Sequence, residues 1–185
     1  LVELLAVVTI VGILSLIATV SYRRVTLSAK MAEATHMVQA IRAGQEAYRA
    51  ETGAYLDLSA GLAMNNGSNL SACYPPGTPS QGQVTWDPGA VSCGSRCKNN
   101  LEWTALGVST GENVRFCYTT VAGATGVSAP ATQMTVNGQS VSWGNVNRGP
   151  WYVVSALGDL NGDGTYSTVM TSSWSSQVLI DNDGE

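Results

Sequence analysis

Few residues in this chain could do chemistry, and they lie far apart. Glu3 is a lone carboxylate at the start of the apolar run LVELLAVVTIVGILSLIATVSY, Leu1 to Tyr22. About 20 apolar residues in a helix span a hydrocarbon core, and a charge among them is expensive enough to mark function and to demand a partner. Cys73, Cys93, Cys97 and Cys117 form an even set, which predicts two disulfides in an oxidising compartment with three connectivities open. A local Cys93–Cys97 bridge, or Cys73–Cys93 together with Cys97–Cys117, are both compatible with the spacing. Zinc is the rival use of these thiols. The set contains C-x3-C rather than paired C-x2-C, however, and the one histidine, His36, belongs to the N-terminal helical stretch. Asp159-x-Asn161-x-Asp163-Gly164-x-Tyr166 places oxygen ligands at alternate positions, as the start of a calcium loop does, with Tyr166 offering a backbone carbonyl. Its twelfth position is Met170, so another acid, Asp181 or Asp183, would have to close the site from outside the loop. The plain alternative is a polar turn joining two strands. No cofactor is required by these residues, and calcium is the candidate ion.

Neither a nucleophile elbow nor a phosphate loop nor an H-E-x-x-H motif occurs, and a Ser-His-Asp triad could use only His36. The sequence therefore predicts no enzyme. Residues 1–51 carry five basic and four acidic side chains, about +1, and the remainder four basic and nine acidic, about −5. That second part is a poor electrostatic match for nucleic acid.

Three segments must position these groups. The first, 1–25, is the apolar half of a long helix. The second, 26–52, is its amphipathic half, with Ala34, Met37, Val38, Ile41 and Tyr48 at three- and four-residue steps. Thr52-Gly53 supplies the stop. An unbroken helix of about fifty residues runs roughly 75 Å, more than one small domain can cover. Its first half must lie in lipid or against copies of itself. The third segment, 53–185, reads as a β-rich head: a long Gly/Ser/Asn/Pro-rich connection over 53–113, then a sheet over 114–185. Trp103 to Val108 is expected as a short helix or turn. Strands are expected at Val114 to Val121, Met134 to Trp143 (a hairpin about Asn137-Gly138), Trp151 to Ala156, Tyr166 to Thr171 and Gln177 to Ile180. This pattern predicts an α+β fold in which one face of an antiparallel sheet packs on the amphipathic half of the helix.

LVELLAVVTIVGILSL resembles the start of mature type IV pilins and type II secretion pseudopilins, in which an apolar pair and Glu follow the processing site. Leu1-Val2-Glu3 matches that apolar pair and acid, so the chain is expected to begin two residues inside the mature protein. The likeness continues through AEATHMVQAIRAGQEAYRAETGAYLDLS, with the family's Tyr48, Gly53 and Tyr55. ALGDLNGDGTYSTV and the closing DNDGE look like pilin-like proteins of myxobacteria and related deltaproteobacteria. The helix motif covers about the first 55 residues.

The resemblance implies the type IV pilin fold and a structural subunit that polymerises through its helix. Its partners would be copies of itself, the inner membrane before assembly, and the pilus assembly machinery. It implies that Glu3 pairs with the N-terminal amine of a neighbour, and that the head is carried outside the cell in a filament serving adhesion, motility or uptake. A minor pilin or secretion pseudopilin is the alternative, and a membrane-anchored calcium-binding domain a further one. Arg23 and Arg24 would by the positive-inside rule hold the head in the cytoplasm, against the cysteines; a removed basic leader reconciles the two. The sequence departs from the family in two respects. Val20 stands where many pilins have Pro eight residues after the helix glycine, Gly12, so melting near Gly12 is less expected. Gly12, Ser15 and Thr19 instead offer small residues for close helix approach. All four cysteines also precede residue 118, leaving Trp151 to Glu185 without the usual C-terminal disulfide.

Overall fold

The computed structural model describes residues 2–79, 82–111, 113–130, 135, 136, 139–141 and 149–181, with backbone alone at 135, 136, 139 and 140. One helix, α1 (Val2–Thr52), contains no proline or other break. It ends where expected: Gly53 adopts φ 83° and donates its N–H to the Arg49 carbonyl at 2.8 Å, the left-handed cap for which a glycine suits best. The chain divides into two compact units, Leu1–Ala32 and Glu33–Glu185. Most of the amphipathic half of α1 thus belongs to the same unit as the strands.

In the first unit the apolar side chains from Val2 to Val25 are exposed all round the helix. The hydroxyls of Thr9, Ser15 and Thr19 each donate to the carbonyl four residues earlier, at 2.8–2.9 Å. Such back-bonding leaves the polar groups of an apolar helix satisfied without water.

The second unit contains strands β1 (Val84–Thr85), β2 (Asn113–Val114), β3 (Cys117–Gly123), β4 (Thr135–Val136), β5 (Gln139–Ser140), β6 (Trp151–Gly158), β7 (Ser167–Ser172) and β8 (Ser175–Asp181). The main sheet is antiparallel in the order β3-β6-β7-β8, with Thr119, Ser155, Met170 and Leu179 in one cross-strand row and Tyr118, Ala156, Val169 and Ile180 in the next. Because successive side chains alternate between faces, these rows lie on opposite faces. On the second face Gln45 of α1 bonds to Thr120 at 2.9 Å and Arg42 reaches Thr171 at 3.5 Å. Ala34, Met37, Val38 and Ile41 are buried and Tyr48 is half-buried, the stripe that the periodicity predicts.

The other face is covered as well. The Ser155 hydroxyl donates to the Ala63 carbonyl at 2.8 Å, the Ala63 N–H donates to Thr119 at 3.1 Å, and Leu62 and Met64 pack on Val121, Trp151, Val153 and Met170. Covered on both faces, the central strands β6 and β7 are buried at every position and their Ser and Thr residues sit inside, while the edge strand β8 stays partly exposed.

One expectation is corrected: the segment Val114 to Val121 is two strands, not one. Val114 pairs with Val84 in a separate ribbon, while Arg115 leaves the ladder to donate its backbone N–H to Glu33 on α1 at 2.8 Å. The 53–113 connection contains the short helix expected from Trp103, as a 3-10 turn over Trp103–Leu106, with three further 3-10 turns (Leu70–Ala72, Gly94–Arg96, Lys98–Asn100) and β1. Within it Tyr74 stacks on Trp103 at 5.6 Å, and Trp86 sets its edge against Tyr74, Trp103 and Tyr118 at 5.2–5.5 Å. This aromatic cluster gives the connection a core of its own. The hairpin expected between Met134 and Trp143 is present as β4 paired with β5; Met134, Trp143 and its Asn137-Gly138 turn lie outside the described residues.

Candidate functional site

Glu3 stands in the first turn of α1, where a negative charge suits the helix dipole. Its neighbours Val2, Leu4 and Leu5 are 81%, 69% and 67% exposed. No described side chain in this unit offers Glu3 an opposite charge closer than Arg23, twenty residues and about 30 Å along the helix. Gly12 has open space where a Cβ would stand, so the close approach suggested for it is not to any described part of this chain. The helix containing both is long and apolar enough to cross a membrane by length and composition.

The cysteines form two disulfides, Cys73–Cys117 and Cys93–Cys97, with Cα separations of 5.0 and 5.6 Å. The local pairing is adopted, and the alternative with Cys73–Cys93 and Cys97–Cys117 is not. Tertiary packing decides between them. Tyr74 and Tyr118 exchange backbone hydrogen bonds at 2.8 and 3.2 Å in an antiparallel bridge, and next to it Cys73 and Cys117 share one buried cluster with Ala63 and Leu157. With all four thiols oxidised, zinc has no ligands in this set.

Asp159, Asn161 and Asp163 gather in the β6–β7 turn, but their oxygens face the turn's own N–H groups. Asp159 accepts from Gly162 at 2.6 Å and Gly164 at 3.2 Å, Asn161 accepts from Asp163 at 3.2 Å, and Asp163 accepts from Thr165 at 2.7 Å and from the Asn161 amide at 2.7 Å. The Thr165 N–H, followed by the Asn161 side chain, holds the Asp163 carboxyl below the usual carboxylate range. Tyr166 is half-buried and packs on the Cys73–Cys117 cluster. The acid that would close a calcium site, Asp181, accepts from the Asn65 amide at 3.1 Å, and Asp183 lies outside the described residues. Among the described residues no three carboxylate, histidine or cysteine groups converge on one point. A calcium ion here would have to take over oxygens already bonded and recruit a further carboxylate.

Side chains not expected from the sequence hold the helix to the sheet. Gln45 is completely buried. Its carbonyl accepts the Leu56 N–H at 2.9 Å, while its amide donates to the Leu56 carbonyl and to Thr120, both at 2.9 Å. One side chain thereby pairs both backbone groups of Leu56, as a neighbouring strand would. The signal was its position, four residues after Ile41 and three before Tyr48 on the apolar stripe. Glu33 accepts the Arg115 N–H and pairs with its guanidinium at 3.5 Å. Asp57 pairs with Lys98 at 2.6 Å and accepts the Ala122 N–H at 3.1 Å. Neither clamp is visible without the fold. Burial pushes the phenol of Tyr74 up to about 12, helped by the charges of Glu102 and Asp87; burial, then Glu33, raises Tyr118 well above its ordinary range. His36 is exposed on α1. No family model, curated protein or solved structure matches this chain.

Proposed function

We propose that this protein is the structural subunit of a type IV pilus filament, stored in the inner membrane by the first half of α1 and assembled by packing that half against copies of itself. One observation carries the reading: an apolar surface exposed on every side of Val2 to Val25, with a single carboxylate at its start, continues as one helix into a segment locked beneath a disulfide-stapled sheet. Such a surface needs lipid or protein around it. Burial between helices would supply cohesion at about 25 cal/mol per Å² of apolar area. Glu3, costly when alone among Leu and Val, would set register by meeting the N-terminal amine of a neighbour. A head-to-tail contact that does not close generates a helical filament. The head would then face outward for adhesion, motility or uptake.

A minor pilin or secretion pseudopilin is the second reading, favoured by the proline-free, unbroken course of α1 through Gly12. Electron cryo-microscopy of filaments sheared from the source cells separates the two. A major pilin accounts for the whole helical density, with Glu3 beside a neighbour's N-terminus. A chain found only at filament ends or in the membrane would replace that reading with the second.

A further inference from the structure

We infer that Arg23 and Arg24, with Tyr22 beside them, dock on acidic phospholipid headgroups at the head's side of the membrane and fix the depth of the unassembled subunit. The inference rests on the reading of this helix as membrane-borne, and adds the chemistry of the lipid it selects. The stretch between charges, Leu4 to Tyr22, is nineteen residues, about 28 Å of helix. That length matches a hydrocarbon core of about 30 Å. With Glu3 at one boundary, the guanidinium groups fall at the phosphate layer of the other. Tyr22, 73% exposed, occupies the level where aromatic rings with a polar tip settle.

The interior of the stretch agrees with this placement, since the Thr9, Ser15 and Thr19 hydroxyls bond back to the helix. The next hydroxyl beyond the arginines, Thr26, does the same to the Tyr22 carbonyl at 2.9 Å, so it does not compete for them.

Charge complementarity selects the headgroup. Both arginines are exposed, and among the described residues neither forms an ion pair. The nearest carboxylates along α1 are Glu3, about 30 Å away, and Glu33, about 14 Å beyond Arg24. Glu33 is already committed to Arg115. Two adjacent guanidinium groups, about 100° apart round the helix, therefore have no ion-pair partner among the described residues. A guanidinium presents a planar fork that suits phosphate oxygens. A zwitterionic headgroup brings its own ammonium to such a contact; an acidic one does not.

The test dilutes the full chain from detergent into vesicles of phosphatidylcholine alone and of equal parts phosphatidylcholine and phosphatidylglycerol, and measures the membrane-bound fraction. At low salt the acidic vesicles should capture the protein about tenfold to thirtyfold more strongly, the amount expected for two basic groups near the surface. Raising the salt should erase the gain. In R23Q/R24Q the gain should fall to within about twofold while capture by phosphatidylcholine is unchanged; R23K/R24K should keep most of it. Equal capture by both vesicles, or a gain that survives in R23Q/R24Q, overturns the inference and leaves the membrane span standing. Failure of both kinds of vesicle to capture the chain overturns the membrane reading itself. Retention of the head's melting temperature in each variant shows that the fold is intact.

Discussion

Burial of ionisable side chains gives the head a defined pH limit. Tyr74 and Tyr118 are fully buried, and their phenols are held neutral chiefly by desolvation. A raised pKa in the fold means that the protonated form is the one favoured there. The stability linked to it is complete below pH 10, the ordinary phenol value, and is lost as pH rises towards about 12. The share of tyrosinate absorbance that belongs to the buried rings should therefore appear only as far-ultraviolet circular dichroism collapses. Its full appearance with the fold intact would contradict this. The β6–β7 turn yields a second test. Since Asp159, Asn161 and Asp163 already satisfy the turn's N–H groups, the head's melting temperature should be unchanged by a calcium chelator. A fall on chelation, abolished in Asp163→Ala, would instead identify a bound ion.

Helix and turn meet at close quarters on the second half of α1. Gly44 illustrates why local propensity does not settle stability. Replacing glycine by alanine inside a helix usually gains about 1 kcal/mol. Here the new Cβ would lie 2.5 Å from the Leu106 carbonyl oxygen, in the Trp103–Leu106 turn. Backbone cannot yield as a flexible side chain can, so G44A should lose about 1–3 kcal/mol in urea denaturation. The two disulfides should differ in the same assay. Their sequence separations are 44 and 4 residues, and loop-closure entropy grows with the logarithm of length. Removing Cys73–Cys117 should therefore cost about 2 kcal/mol more than removing Cys93–Cys97. It also opens the Tyr74–Tyr118 bridge, a loss in the same direction.

For the whole molecule, the two units divide the labour. The unit Leu1–Ala32 presents apolar surface and buries almost nothing of its own, while Glu33–Glu185 contains the core. On the filament function proposed above, substitutions in the first unit should affect assembly without affecting the head. E3Q is expected to keep the melting temperature of the wild-type head and to be lost from sheared filaments when expressed beside wild-type subunits. Undiminished incorporation of E3Q would remove Glu3 from the assembly mechanism.

Features that depend on neighbours along the chain are legible in the residues alone. The length of α1, the Gly53 stop, the apolar stripe through Ala34, Met37, Val38 and Ile41, and most of the sheet strands follow from local periodicity and backbone preference. The even set of cysteines likewise announced two bridges but not which. That pairing comes from the fold, which packs Cys73 against Cys117 from 44 residues away in one buried cluster. The fold also decided that Arg115 abandons its ladder for Glu33, that Leu62 to Met64 close the second face of the sheet, and that a glutamine rather than an apolar residue completes the helix stripe at position 45. Each of these is a contact between segments distant in sequence. Its energy comes from pairing backbone groups that burial would otherwise leave unsatisfied, and that demand exists only after the chain has folded around them.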